Sequence, residues 1–143
     1  MTLDELDVIL PNGFHDAQIL TIEIDYLGGS ARFRMSLLVG SPDDPAPERD
    51  RRQEATLSVT GLCFCSIEAP DPRYPFIPNG EPVMASGDPA KPDHLPSLPA
   101  LATKCPEGTW CYRFFVDDWN AFIYLAARHA EIDWIGTNPR HAR

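Results

Sequence analysis

Three groups of side chains have types and spacings that chemistry can use. His15 and Asp16 are adjacent in Asn12-Gly-Phe-His-Asp-Ala17, directly ahead of an alternating apolar run. A neighbouring imidazole and carboxylate can ligate a metal or hold a proton, but metal-dependent hydrolysis needs further His and Asp ligands. Here the pair opens a strand with no companion motif. The residues therefore favour a local structural role, with His15 or Asp16 bonding nearby backbone, over a binding role, and catalysis comes last.

Cys63, Cys65, Cys105 and Cys111 form the second group. Four thiolates could close a tetrahedral, structural zinc site. Yet Cys-x-Cys on an extended strand holds its thiols further apart than a Cys-x-x-Cys turn does. The leading expectation is reduced thiols packed in a core, where Cys is commonly found; zinc on these four residues is the lesser alternative.

Asp117, Asp118 and Trp119 make the third group. In a strand the two carboxylates would point to opposite faces, and in a turn or helix they would cap backbone amides, so a catalytic pair is not indicated. No Gly-x-Ser-x-Gly elbow, His-Glu-x-x-His, phosphate loop or EF-hand spacing occurs, and His94 and His129 read as ordinary histidines. Nothing in the residues points to an enzyme or calls for a cofactor.

The elements that would position these groups are mostly strands. Thr2-Leu-Asp-Glu5 has the form of a capping box and starts a short helix that ends before Pro11. Ala17 to Tyr26 and Ala31 to Val39 alternate on either side of Gly28-Gly29, which predicts a hairpin with a two-residue turn. That register sets Ile24 against Phe33, Ile22 against Met35 and Leu20 against Leu37, with Asp25 facing Arg32 and Glu23 facing Arg34. Residues 41–54 read as an exposed connection, and Ala55 to Ile67 as a strand with a bulge at Gly61.

From Pro70 to Pro106 lie ten of the 15 prolines and no run long enough for a regular element. Tyr74, Phe76, Ile77, Val83, Met84, Leu95, Leu98 and Leu101 predict that this long loop wraps and packs on the sheet. Thr109 to Val116 is a strand with Trp110, Tyr112, Phe114 and Val116 on one side. Residues 118–130 fit either a helix capped by Asp117 or Asp118, or a turn at Asp117-Asp-Trp-Asn120 followed by strand. Residues 137–143 read as a frayed tail. The expected fold is mainly β, with α+β as the alternative. It is a single antiparallel sheet, strongly twisted or barrel-like, carrying a short N-terminal helix and the Pro-rich loop.

At 143 residues the chain suits one domain, 1–143, able to bury a sizeable core without metals or disulfides. The balance of 12 Lys and Arg against 21 Asp and Glu, net −9, argues against a nucleic-acid partner, because neutralising phosphates takes clustered cations. The same charge suits a basic protein partner. The three acids near the N-terminus and the lack of any apolar run of spanning length predict neither an export signal nor a membrane segment, hence a cytoplasmic protein. Large aromatics such as Trp119, Trp110 and Trp134 mostly fill a core, with interface anchoring the minority reading.

Asn-Gly-Phe-His-Asp-Ala-Gln-Ile and Phe-Phe-Val-Asp-Asp-Trp-Asn-Ala-Phe-Ile resemble segments of small uncharacterised bacterial proteins that open with a His-Asp-Ala strand motif. Some of those resemble immunity proteins of polymorphic toxin systems. The resemblance implies a mainly antiparallel β fold, favours a strand after Trp119, and draws attention to His15 and Asp16. It brings no catalytic residues. Two functional expectations follow: a non-enzymatic module that binds a basic protein such as a nuclease toxin, or a small-ligand or enzymatic domain with a pocket near His15 and Asp16.

Overall fold

A computed structural model describes residues 1–136 of the chain. The tail expected at 137–143 lies outside them. The capping box forms: Thr2 Oγ1 accepts the Glu5 N–H at 3.0 Å, and Glu5 Oε2 accepts the Thr2 N–H at 2.8 Å. Helix α1, Leu3–Ile9, follows it. Eight strands then make one antiparallel sheet: β1 Ala17–Asp25, β2 Ser30–Leu38, β3 Arg52–Thr60, β4 Phe64–Ile67, β5 Val83–Pro89, β6 Trp110–Val116, β7 Ala121–Ala127 and β8 His129–Trp134. Their order in space is β4-β7-β6-β5-β1-β2-β3-β8. The segment after Trp119 is strand, because a 3-10 turn at Asp117–Trp119 and the left-handed Asn120 (φ 46°) reverse the chain at once.

The sheet is not closed, but it curls sharply at one corner. There β3 runs into β4 through Gly61-Leu62-Cys63, and β7 runs into β8 through Arg128 alone. The two bent strands pair along both legs, β3 with β8 and β4 with β7. Gly61 sits at the bend with φ +63°, and the Arg128 side chain packs where a Cβ would stand. Any other residue there would be strained in both backbone and packing.

The β1–β2 hairpin forms in a register two residues away from the expected one. Ile24 faces Ala31, Ile22 faces Phe33 and Glu23 faces Arg32. The loop takes four residues, 26–29, because Asp25 Oδ1 accepts the N–H groups of both Leu27 and Gly28, at 3.0 and 2.9 Å. A shift of two leaves the side chains from Thr21 onward on their expected faces, but Leu20, expected opposite Leu37, sits in a bulge. Of the expected charge pairs, neither Asp25 with Arg32 nor Glu23 with Arg34 forms. Arg34 turns instead to Glu54 of β3, at 2.7 Å. A bulge at Leu20, between Ile19 and Thr21, switches the parity of β1. Ala17 and Ile19 face the core before it, Ile22 and Ile24 after it.

Two strand assignments depart from the sequence reading. β3 begins at Arg52, within the expected connection, because Arg52 to Glu54 pair with Ser36 to Leu38. β5 lies inside the Pro-rich segment and is central, pairing with β1 on one side and β6 on the other. Gly87 within it gives room to Tyr112, whose ring occupies the place of a Cβ.

One core cluster fills the inner face. Phe33, Met35, Leu37, Leu57, Val59, Phe114, Ile123 and Leu125 are buried there, each worth roughly 1.5–3 kcal/mol relative to exposure. Helix α1 adds Leu3 and Leu6 to this cluster, and Phe14 sets its ring edge-on to Phe114 at 5.4 Å. Residues 90–106 cover part of the outer face. Leu98 and Tyr124 are buried there, and the Tyr124 hydroxyl donates to the His94 carbonyl at 3.0 Å. A disulfide, Cys63–Cys105, ties that cover to the sheet corner. Elsewhere in the Pro-rich segment Tyr74, Phe76 and Ile77 remain exposed.

Candidate functional site

The chain enters β1 through a turn built by other residues than expected. Asp7 Oδ1 accepts the Phe14 N–H at 2.7 Å, and Asn12 Nδ2 donates to the carbonyls of Leu38 and Gly40. Among the described residues the side chains of His15 and Asp16 do not bond the backbone. They meet each other, Nε2 to Oδ2 at 3.3 Å, and the His15 side chain is 74% exposed. A pair this open contributes at most about 1 kcal/mol. Asp16 holds φ +52°, a left-handed conformation that Asp tolerates better than most residues.

The sheet brings this turn close to the β6–β7 connection. Ala17 faces Ala85, Ala85 faces Val116 and Val116 faces Ala121, so four strands are level at one end. Asp16 precedes the first of these residues and Asp117 follows the third. The Asp117 carboxyl is raised above its ordinary value, chiefly by burial, then by the negative charges of Asp16 and Asp118, while His15 opposes the shift. Asp118 does bond a backbone amide as expected, though not one of its own turn: its Oδ2 accepts the Met84 N–H of β5 at 3.0 Å. Four of the residues singled out in the sequence thus share one rim of the sheet, and Trp119 joins them from the same turn.

Trp119 packs edge-on against Phe76, centroids 5.8 Å apart. A clasp holds that contact in place. Asp71 donates its N–H to the Trp119 carbonyl at 2.9 Å, and its carboxylate accepts from Asn120 at 3.1 Å and Arg73 at 3.0 Å. Those bonds hold the Asp71 carboxyl well below the usual carboxylate range. Beyond the clasp, residues 75–82 stand off from β1 and leave an open groove of about 850 Å³ between them. Its walls are Gln18–Ile22 on one side and Phe76, Ile77, Glu81 and Trp119 on the other. Glu81 and Asp118 are its charged residues; no Lys, Arg or His is among the residues lining it. The loop side of this groove went unread in the sequence, since Pro75, Pro78 and Pro82 interrupt every periodicity there; the exposed run Tyr74 to Ile77 was its only signal.

The cysteines are not gathered. Cys63 and Cys105 are bonded to each other, which overturns the expectation of reduced thiols for that pair. Cys65 and Cys111 are free, and their partners in register, Leu125 and Ala126, place them on opposite faces of the sheet. Burial raises the pKa of both. Among the described residues no three His, Cys, Asp or Glu side chains are grouped to hold a metal.

A second cavity of about 620 Å³ lies between α1 and β8, lined by Leu6, Ile9, Thr60, His129, Glu131 and Trp134 among others. Neither cavity is lined by His15 or Asp16. Among the described residues the partner of the His15 imidazole is the Asp16 carboxylate, and the rim they share with Asp117, Asp118 and Trp119 offers charge and aromatic surface. None of the described helices is long and apolar enough to cross a membrane. Compared with known proteins, the chain matches no family model, no curated protein and no solved structure.

Proposed function

We propose that this protein is a non-enzymatic binding module whose acidic rim and groove engage a basic protein, and that it serves as an immunity protein against a cationic toxin. The reading is carried by one observation. Asp16, Asp117 and Asp118 converge beside Trp119 and Phe76, next to a groove whose charged lining is acidic. Aromatic anchors near a charged rim supply contact area, and the net charge of −9 attracts a cationic partner and speeds its association. The immunity role comes from the resemblance of the His-Asp-Ala and Asp-Asp-Trp segments.

Co-purification of the tagged protein from its host at low and high salt tests the reading. The expected result is a basic protein retained at low salt and released at high salt. Its affinity should fall about tenfold in the double variant Asp16→Asn with Asp117→Asn, since two exposed charge contacts are worth about 1–2 kcal/mol together. Asn suits the left-handed backbone at residue 16. Partner retention that ignores both salt and these variants would refute it.

A further inference from the structure

One edge of β1 is only half used. On its β2 side the strand is paired from Gln18 to Asp25, but on its β5 side only Ala17, Ile19 and the residue between them have partners. Leu20 to Asp25 carry no neighbouring strand there among the described residues. The incoming chain at 75–82 stands off across the groove instead of continuing the ladder. We infer that this edge accepts an extended segment of the partner as an added strand, one in which basic and apolar residues alternate. The inference rests on the binding role proposed above and names its mode.

The two faces of β1 dictate that pattern. Past the bulge, Thr21, Glu23 and Asp25 are exposed on one face, while Ile22 and Ile24 on the other are only half-buried. An added strand sets its alternate side chains beside these rows. Lys or Arg would lie next to Glu23 and Asp25 on the flank away from Arg32, which faces Glu23 from β2, and Val or Ile would complete the cover over Ile22 and Ile24. Six residues, roughly 20 Å of strand, fill the unpaired length. Main-chain bonds supply the affinity, and the acid row selects the sequence. The acids also disfavour a second copy of this chain, because pairing two such edges sets Glu23 and Asp25 beside the same carboxylates.

The test uses the full protein with a synthetic peptide of alternating lysine and valine, followed by backbone amide NMR. Saturable binding that perturbs the amides of Leu20 to Asp25 is expected. It should be lost for the alternating glutamate and valine peptide, and also for the lysine and valine peptide methylated on alternate backbone nitrogens. The Glu23→Lys variant with Glu81→Lys, which alters only exposed side chains, should bind about tenfold more weakly. Shifts confined to other surfaces, undiminished binding of the methylated peptide, or self-association through this edge would overturn strand addition. If a basic partner protein still binds in a salt-sensitive way while the peptide fails, strand addition alone is refuted; if both fail, the binding role falls with it.

Discussion

Asp117 has a carboxyl that the fold makes harder to ionise, because it is partly desolvated and faces Asp16 and Asp118. The sign of the consequence follows from linkage. A carboxyl with a folded pKa above its unfolded value contributes most at low pH, and that contribution is lost as pH rises through the folded value. Asp117→Asn should therefore raise the melting temperature at neutral pH by about 1–2 °C, allowing for screening at this exposed position. The gain should vanish once the pH is below the ordinary carboxylate range; an equal gain at every pH would contradict this origin. Tyr112 offers a second residue-scale test. Its hydroxyl is buried against Gly87 without a hydrogen-bond partner among the described residues, so the ring carries its stabilising effect. Denaturant unfolding should show Tyr112→Phe within about 1 kcal/mol of wild type or more stable, and Tyr112→Ala about 3–5 kcal/mol less stable. At this scale the sequence was partly informative. Asp16, Asp117 and Asp118 could be picked out by type, but their proximity depends on the level pairing of Ala17, Ala85 and Val116, and β5 could not be read.

Elements were legible where a local rule governs them. The Thr2–Glu5 box set the start of α1, and alternation marked β1, β2 and β6, though not the bulge at Leu20 that breaks it in β1. Between Thr2 and the hairpin, each signal is short-range and needs no tertiary partner. The hairpin turn shows the limit: Gly28-Gly29 suits a two-residue loop, but Asp25 caps the backbone and widens it. β5 was hidden for another reason. Val83-Met-Ala-Ser-Gly-Asp-Pro89 is held by neighbours on both sides, and its glycine answers to a ring on β6. The clasp at Asp71 makes an element-scale prediction. Asp71→Ala removes the acceptor that holds Asn120 and Arg73, so residues 72–82 should become the earliest site of limited proteolysis, with the core unaffected. Reduction of Cys63–Cys105, which spans 42 residues, should lower stability by about 2–4 kcal/mol and expose residues 90–106 to protease before the rest. Cleavage there at the same rate with and without reductant would contradict the role given to the crosslink.

Over the whole molecule, the acidic excess divides into two parts. Some acids are spent internally: Glu54 on Arg34, Asp88 on Arg113 and Asp71 on Arg73. Others, Glu81 and Asp118, line the groove, where no Lys, Arg or His is among the lining residues. The composition gave the sign of the surface but not its distribution, since the distribution needs the curled sheet to bring residues 15–25, 75–84 and 117–120 together. The crosslink also bears on the expected cytoplasmic setting, since disulfides persist mainly in oxidising compartments. Hydrogen exchange on the protein, with and without the basic partner captured at low salt, locates the surface that binds it. New protection is expected over residues 15–25, 75–84 and 117–120, lost again at high salt. Protection centred instead on the α1–β8 cavity or on residues 90–106 would contradict it.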